Sequence, residues 1–367
     1  MKVKHCIKCA MPNTRPDTKF INGICQACIN FNKRLNIDWK IRNKDLLNLS
    51  EQYKNKDSYY DCIIPVSGGK DSYFQVYTIK EEFGMNPLLL TVDDWFTHTN
   101  AGIHNLRNLI NEFSCDHISF KINEPLFRKV GRIGFENSLD PLRYLETLIT
   151  TVPFKLAADM NIPLVIYGES EYEYGSWKSG FDTTEFINNK FTNFNKQYWI
   201  DNGIKYEDMS ILEYPKNKKN LPKVIVLSYF KPWSSTSNLR IAKKYGFNDL
   251  INEWNREGYI ENFQQIDSIG YMVHLWLKFP KFGFQRTSDI ASRLVREGGL
   301  TLQEAQKLIM KNDYKLDQLA LNDFCRCFSY SKKEFWNIVN KFWNPNIFEY
   351  KNNEWSLQPD FYSDFKL

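Results

Sequence analysis

A chain of 367 residues is long enough for one large domain or two modest ones, each with a full hydrophobic core. Its aromatic fraction of 16% excludes an intrinsically disordered protein, and its net charge of +5 suits phosphate-rich small substrates without requiring nucleic acid. The first residues lack the apolar core of a signal peptide, and no apolar run is long enough to span a membrane. We therefore expect a cytoplasmic protein with reduced cysteines.

Four of the eight cysteines form two Cys-x-x-Cys pairs, Cys6/Cys9 and Cys25/Cys28, which fifteen residues separate. This spacing is typical of a zinc ribbon, in which four thiolates close the coordination sphere and leave the metal a structural role. An iron–sulfur centre and two accidental pairs of core cysteines are the alternatives. Leucines at helical spacing follow in a polar stretch, so residues 1–45 are predicted to form the ribbon and a helical linker.

The most informative stretch is a short apolar run that ends in Ser67-Gly68-Gly69-Lys70-Asp71-Ser72. The pattern predicts a buried strand, a tight loop and a helix from Lys70 to about Phe83. Two adjacent glycines let the backbone approach a ligand closely, and the first amide groups of a helix attract anions. Hydroxyl and ammonium donors complete a site for phosphate oxygens. The spacing is not that of a Walker A loop.

Strands and helices alternate after this loop. Strands are predicted at 86–95, 117–122 and 162–167, and helices at 100–113 and 141–160, the latter kinked or split by a proline. This alternation predicts an α/β fold with a parallel sheet covered on both faces, in which ligands bind beyond the carboxyl ends of the strands. The glycine loop is therefore expected to share one sheet edge with Asp93, Asp94, Gly168 and Glu169.

Residues 46–250 are predicted to form this core, with an aromatic-rich insertion at about 170–222. Aromatic faces pack well on sugar or base rings, so the insertion is either a substrate loop or a small satellite core or oligomer contact. The lysine-rich run at its end, which includes Lys223, is predicted to be a solvated loop.

Residues 251–367 are predicted to be mostly helical, with capping boxes that begin at Thr301 and Ser331. Before them, one helix places three arginines and an aspartate on a stripe about 80° wide. These residues are Arg286, Asp289, Arg293 and Arg296. Guanidinium groups match the geometry of phosphate and carboxylate, so the stripe predicts an anion site, with a surface salt-bridge face as the alternative.

The loop Ser67–Ser72 resembles the pyrophosphate loop (PP-loop) of the N-type ATP pyrophosphatases, which cleave ATP between the α and β phosphates. Together with the cysteine pairs, Tyr167-Gly168-Glu169 and the stretches 281–286 and 296–301, it resembles the N-acetyl sugar amidotransferases of bacterial surface-polysaccharide and flagellin-glycan pathways. The resemblance covers nearly the whole chain and implies an adenine nucleotide alpha-hydrolase-like core. Ser170 departs from the family's Gly-Glu-Asn pattern, which leaves the role of this position open.

The resemblance implies an ATP-dependent ligase that converts an acetamido group of a nucleotide-linked sugar to an acetamidino group, for lipopolysaccharide (LPS) O-antigen, capsule or flagellin glycan. ATP would adenylate the amide oxygen, and ammonia would displace AMP. The loop residues, Asp93 and Gly168 would bind ATP, and Asp71 would contact Mg²⁺. The implied catalytic residues are Lys70, Asp71, Glu169 and Arg286, and the implied contacts to phosphates are Lys281, Arg286 and Arg293.

No cysteine of the chain stands in the context of a glutaminase nucleophile, so the resemblance implies a separate glutaminase partner, similar to the histidine-pathway glutaminase and cyclase subunits. Two other functions stay open. A tRNA-thiolating enzyme joins zinc ribbons to the same loop, but no Cys-x-x-Cys follows the loop here, and the basic charge is weak for gripping tRNA. A nucleotide-sensing module would bind ATP as a signal. The sequence leaves open which acetamido sugar is modified and whether it is UDP- or CMP-linked.

Overall fold

The structure is a computed structural model, and it describes residues 3–54, 58–168, 184–216 and 221–366. Glu169, Ser170 and the first part of the aromatic-rich insertion lie outside the described residues. Among the helices in the described ranges, none is both long enough and apolar enough to cross a membrane.

The strands of the described ranges form three sheets. They are β1 (Phe20–Ile21), β2 (Ile24–Cys25), β3 (Cys62–Pro65), β4 (Pro87–Val92), β5 (Asp116–Phe120), β6 (Leu164–Tyr167), β7 (Lys223–Val226), β8 (Phe348–Lys351) and β9 (Glu354–Leu357). The α-helices are α1 (Gln26–Lys33), α2 (Trp39–Tyr53), α3 (Lys70–Val76), α4 (Asn100–Glu112), α5 (Glu124–Ser138), α6 (Arg143–Asp159), α7 (Thr184–Thr192), α8 (Lys196–Asp201), α9 (Leu227–Phe230), α10 (Ser235–Lys244), α11 (Tyr271–Trp276), α12 (Lys278–Phe282), α13 (Arg286–Arg296), α14 (Leu302–Asn312), α15 (Gln318–Phe328) and α16 (Lys332–Val339).

The central sheet is parallel throughout and has the strand order β5-β4-β3-β6-β7. Its middle strand is β3, in which Ile63 lies opposite Leu88 of β4 and Val165 of β6. Buried aliphatic side chains on both faces explain why these short runs form a sheet that helices cover. The predicted α/β class is confirmed, and the loop that follows β3 emerges at the middle of the carboxyl edge.

Two details differ from the sequence prediction. Helix α6 is not split at Pro153. The proline removes only one amide donor, and the packing of the buried helix face on β3, β4 and β6 compensates for this loss. Lys223 does not belong to a solvated loop: it begins strand β7, whose next residues, Val224 and Ile225, are fully buried. A short apolar run behind several lysines gave too little pattern to predict this strand.

The helix after the glycine loop begins at Lys70 as predicted and continues beyond α3 as a π-helical segment, Tyr77–Glu82. Both predicted capping boxes, at Thr301 and Ser331, are present. A continuous hydrophobic core joins the sheet to the C-terminal helices. The C-terminal residues are therefore packed against the sheet and can contribute side chains to its carboxyl edge.

Candidate functional site

The glycine loop between β3 and α3 is held in one conformation by its own hydrogen bonds. The Ser67 amide donates to Ser72 Oγ at 3.2 Å, and the Gly69 amide donates to Ser67 Oγ at 3.3 Å. Gly68 has a φ of +84°, and a Cβ atom there would lie 2.7 Å from the backbone nitrogen of Leu106. A larger residue therefore does not fit at Gly68 without movement of α4.

Lys70 and Asp71 form an ion pair directly after this loop, with 2.7 Å between Nζ and Oδ2. The fully buried Asn238 of α10 donates from Nδ2 to Asp71 Oδ1, also at 2.7 Å. Burial raises the pKa of Asp71, but the Lys70 charge and these hydrogen bonds outweigh it and hold the pKa below its ordinary value. Asp71 is therefore a carboxylate at neutral pH, which is the form that would bind Mg²⁺.

A cavity of about 660 Å³ lies between the loop and helix α13. This volume is in the range of pockets that hold a small-molecule ligand. The loop and the helix contribute Ser67, Gly69, Lys70, Asp71, Ser72, Arg286 and Arg293 to its lining, and aromatic rings come from Trp233, Phe263 and Tyr271. Of the predicted loop residues, Gly68 is not part of the described lining, because it faces α4.

Two arginines of α13 reach this cavity together. Arg293 donates to Gln264 Oε1 at 2.7 Å, and Arg286 donates to the same oxygen at 3.2 Å. Gln264 is buried, and among the described residues no hydrogen-bond partner is found for the buried Nε of Arg286. Two guanidinium groups and the Lys70 ammonium therefore line one cavity, which suits a ligand with several anionic oxygens.

Another part of the cavity wall is acidic. Asp93 pairs with Lys121 at 2.9 Å and with His98 at 3.1 Å. Burial raises the pKa of Asp93, but the hydrogen bonds with His98 and Lys121 hold it below its ordinary value, and the hydrogen bond with Asp93 raises the pKa of His98. Burial raises the pKa of Asp94, and it raises that of Asp267 to about 6. This wall offers acceptors to ligand hydroxyl groups.

Gly168 follows β6 at the same edge and lines the cavity beside Gln75. A Cβ atom on Gly168 would lie 2.1 Å from Gln75 Cδ, and the amide of Gln75 donates to the carbonyl oxygen of Ile166 at 3.3 Å. A side chain at this position would therefore require Gln75 to move. Its neighbour Glu169, an implied catalytic residue, lies outside the described residues.

Lys281, an implied phosphate contact, lies outside the described lining of the cavity. Its Nζ donates to the backbone oxygens of Ser138 and Leu139 at 3.3 and 3.1 Å. The lysine therefore satisfies carbonyl groups at the C-terminal end of α5. The resemblance implied a phosphate contact for this residue, whereas packing directs its side chain to a helix end.

The predicted stripe of charges on α13 serves two surfaces. Arg286 and Arg293 differ by about 20° around the helix axis and line the cavity, whereas Asp289 and Arg296 are rotated by about 60–80° from Arg286. Asp289 is buried and forms ion pairs with Arg15 and Lys278. The prediction of one anion-binding stripe is therefore wrong for Asp289 and Arg296.

The four cysteines of the N-terminal pairs meet in one buried cluster. The sulfur atoms of Cys6 and Cys28 are 3.9 Å apart, and those of Cys9 and Cys25 are 3.6 Å apart. Zinc–sulfur bonds in a tetrahedral site place the sulfurs about 3.8 Å apart, so the cluster fits a closed four-thiolate metal centre. All four sulfur atoms lie within 4.8 Å of one another, so a single metal ion could be bound by the four cysteines once they are deprotonated.

Three polar residues of the cavity region carry no motif and were missed by sequence reasoning. They are Asn238, which holds Asp71, Gln264, which holds both arginines, and Asp267 of the acidic wall. The serine-rich start of α10 was the one local signal near Asn238. None of the three can be assigned before the chain is folded, because their partners are distant in sequence.

Together, the parallel sheet, the glycine loop at its carboxyl edge and the four-cysteine cluster define an α/β protein with a cavity lined by cationic groups and an N-terminal cluster that fits a metal ion. Residues 257–361, which include Arg286 and Arg293, match the family described as LPS biosynthesis protein WbpG-like, C-terminal domain. This match confirms the resemblance to surface-polysaccharide biosynthesis proteins for the C-terminal region.

Part of the chain is also similar to an uncharacterized protein, MJ1599, of Methanocaldococcus jannaschii. The two are 30% identical over 120 residues, which are 32% of this chain and 41% of that protein. The chain thus spans about two fifths of the length of this curated relative.

Three solved structures are similar to this chain at low identity. NMN synthetase from Francisella tularensis has 13% identity and a TM-score of 0.35, with 82% of this chain and 97% of that chain covered. NH3-dependent NAD synthetase from Campylobacter jejuni has 14% identity and a TM-score of 0.31, with 57% and 93% covered. U34-tRNA thiolase NcsA from Methanococcus maripaludis has 10% identity and a TM-score of 0.32, with 79% and 88% covered.

Proposed function

We propose that this protein is an ATP-dependent N-acetyl sugar amidotransferase that acts on a nucleotide-linked acetamido sugar in surface-polysaccharide synthesis. The observation that carries the proposal is that the pair Lys70–Asp71 and the arginines Arg286 and Arg293 line one cavity at the carboxyl edge of the sheet. A triphosphate with its metal ion and an anionic nucleotide sugar both suit such a cavity. The match of residues 257–361 to an LPS biosynthesis domain supports the substrate class.

The chemistry explains why ATP is needed. An amide carbonyl is a poor electrophile, so its oxygen first attacks the α-phosphorus of ATP, and the bond to the β-phosphate oxygen breaks to release pyrophosphate. Ammonia then adds to the activated carbon, gives one proton to solvent, and the carbon–oxygen bond to AMP breaks. The net change on the sugar is the replacement of one oxygen by NH, with AMP and pyrophosphate as the other products.

Different residues of the cavity would bind the phosphates, hold the metal ion and stabilise the developing charge. The side chains of Ser67, Ser72 and Lys70 donate to phosphate oxygens, and Asn238 holds the Asp71 carboxylate toward the cavity. Asp71 would hold Mg²⁺, which supplies positive charge to the phosphates when bound. The guanidinium groups of the arginine pair stabilise the charge that develops on the leaving pyrophosphate or hold the phosphates of the sugar nucleotide.

The rest of the nucleotide would contact the other walls. Asp93 at the end of β4 accepts hydrogen bonds from ribose hydroxyls, and the rings of Trp233, Phe263 and Tyr271 offer faces for a base or sugar. Glu169, beside Gly168, orients ATP with its Mg²⁺ or the incoming ammonia. The four cysteines hold a structural Zn²⁺ in the N-terminal ribbon.

Ammonia is proposed to come from a separate glutaminase subunit, similar to the histidine-pathway glutaminase and cyclase subunits. Free ammonium would replace this partner in a test tube. Hydrolysis of glutamine by the purified chain alone would contradict the need for a partner.

The alternative, a tRNA-thiolating enzyme, is less well supported by the cavity. Among the described residues of its lining there is no cysteine that could carry sulfur to an adenylated base. The long-range field is also weak, since the net charge of the chain is +5.

The test is incubation of the protein with ATP, Mg²⁺, ammonium and a panel of UDP- and CMP-linked acetamido sugars, with mass spectrometry of the products. A sugar lighter by one dalton, formed together with an equal amount of AMP, supports the proposal. No change in any sugar, with sulfur incorporated when tRNA and a sulfur donor are supplied, would instead establish the thiolation activity. If the protein binds ATP but forms no AMP under either condition, the result would point to a nucleotide-sensing module.

A further inference from the structure

The four-cysteine cluster and the candidate nucleotide cavity share one helix, α13. Arg286 and Arg293 of this helix line the cavity. Ser292 and Arg296, which lie about 60–120° further around the helix axis, contact the ribbon. A displacement of the ribbon would therefore move or rotate the arginine pair.

The contacts between ribbon and helix converge on one metal ligand. Ser292 is fully buried, and its Oγ donates to the carbonyl oxygen of Cys9 at 2.7 Å. Arg296 donates from Nη1 to the Cys9 sulfur atom at 3.6 Å. Both the backbone and the side chain of Cys9 thus accept hydrogen bonds from α13.

Further contacts fix the same interface. Arg15, in the segment between the two cysteine pairs, forms an ion pair with the buried Asp289 of α13. Thr14 Oγ1 donates to the carbonyl oxygen of Phe282 at 2.6 Å, and Ala10, next to Cys9, belongs to the same buried hydrophobic cluster as Ala291. The two strands of the ribbon are only two residues long, so a metal bound by the four cysteines would join and fix its two halves.

We propose that metal binding at the four cysteines sets the affinity of the cavity for nucleotide phosphates, with Ser292 and Arg296 as positioning residues that connect Cys9 to the arginine pair. The proposal rests on the proposed function in one respect, namely that a nucleotide binds in this cavity. The metal holds Cys9, Cys9 holds α13, and α13 presents Arg286 and Arg293 to the phosphates. Such coupling is reciprocal, so bound nucleotide must tighten metal binding by the same factor.

The experiment compares zinc-loaded protein with protein stripped by a chelator. Binding of the Mg²⁺ complex of α,β-methylene-ATP, which cannot be cleaved between the α and β phosphates, is measured by calorimetry. We expect stripping to weaken this binding roughly tenfold, as for a typical coupling between sites. In the reciprocal measurement, the zinc affinity of the protein is determined by competition with a chelator. A saturating concentration of the analogue should raise this zinc affinity by the same factor.

Variants separate coupling from simple folding. The double variant S292A/R296M should retain the thiolate-to-cobalt absorption band when loaded with Co²⁺, but its loaded form should bind the analogue several-fold more weakly than the wild type. The single variants R296M and R296K are compared with Ser292 unchanged. R296K keeps the positive charge, so it should bind the analogue more tightly than R296M. Lys307→Met, which removes an exposed cation on the neighbouring helix α14, is the matched control and should behave as the wild type.

The outcomes are distinguishable. If stripping leaves the affinity for the analogue unchanged while the far-UV circular dichroism is also unchanged, the coupling is overturned. If stripping alters the circular dichroism, the metal-loaded variant S292A/R296M provides the decisive comparison. Binding of the analogue with the affinity of the wild type would then overturn the coupling. A loaded wild type that does not bind the analogue overturns both this inference and the proposed function, whereas metal-sensitive binding without any amidine product contradicts the proposed reaction alone.

Discussion

Asn238 and Asp71 are 167 residues apart in the chain, yet the Asn238 amide donates to the Asp71 carboxylate at 2.7 Å. The bond joins helix α10 to the end of the glycine loop and aims the carboxylate that would bind Mg²⁺. We expect Asn238→Ala to lower AMP formation about 10- to 100-fold, because a hydrogen bond to a charged group contributes about 1.5–3 kcal/mol. A titration of activity with Mg²⁺ should show a raised half-saturating concentration. The exposed Asn340, changed to Ala, is the control, and an unaltered Mg²⁺ titration in Asn238→Ala would exclude this role.

Arg286 is expected to act through its charge. Arg286→Met keeps much of the apolar stem but removes the guanidinium group that lines the cavity beside Arg293. The half-saturating concentration of ATP or of the sugar nucleotide should rise at least roughly tenfold, and whichever of the two rises identifies the phosphates that the arginine contacts. Lys311→Met, on an exposed face of α14, should change neither. Full activity in Arg286→Met would remove this residue from the mechanism.

Lys281 is expected to affect stability and not ligand binding. Lys281→Met removes the donor to the carbonyl oxygens of Ser138 and Leu139, so the free energy of unfolding should fall by about 1 kcal/mol. Nucleotide affinity should stay within about twofold of the wild type, since small changes far from a ligand alter binding little. Urea unfolding and calorimetry measure the two effects. A tenfold loss of nucleotide affinity without destabilisation would instead support the phosphate contact that the family resemblance implied.

A side chain at Gly168 is expected to destabilise the protein by displacing Gln75. Gly168→Ala places a Cβ atom 2.1 Å from Gln75 Cδ, which should destabilise the protein by about 1–3 kcal/mol. The second change Gln75→Ala removes the clashing atoms, so the double variant should be more stable than Gly168→Ala alone. Thermal unfolding of the two single variants and the double variant gives the coupling energy. Additive effects would show that the clash is not the reason for glycine.

Asp313 is expected to make stability depend on pH. Its carboxylate accepts a hydrogen bond from the Ser288 amide at 3.0 Å near the start of α13, and burial raises its pKa to about 7. Since this exceeds the unfolded value of about 3.9, the native state holds the extra proton, and the stability contributed below pH 4 is lost as pH rises toward 7. The loss is at most about 1.4 kcal/mol per pH unit.

Asp313→Asn cannot titrate, so its free energy of unfolding should fall less between pH 5 and 8 than that of the wild type. Urea unfolding across this range measures the difference. Asp360→Asn, at an exposed position, should follow the wild type. Parallel pH profiles for the wild type and Asp313→Asn would contradict the raised pKa.

Features set by neighbouring residues were predictable. The strand, glycine loop and helix around Ser67–Ser72 follow from a pattern of apolar residues and two glycines, and the cysteine cluster follows from the spacing of two pairs. The capping boxes at Thr301 and Ser331 depend on residues three positions apart. Each of these signals lies within a few residues of the structure that it specifies.

The sequence by itself therefore determined the parallel α/β class, the phosphate-type loop and the candidate metal centre, because short-range periodicity and spacing control them. Only the tertiary structure decided that Asn238 holds Asp71 and that Lys281 donates to the carbonyl groups at the end of α5. It also decided that the charged side chains of α13 face both the cavity and the ribbon. These contacts join residues more than a hundred positions apart. They depend on which buried faces pack together, and no local pattern contains that information.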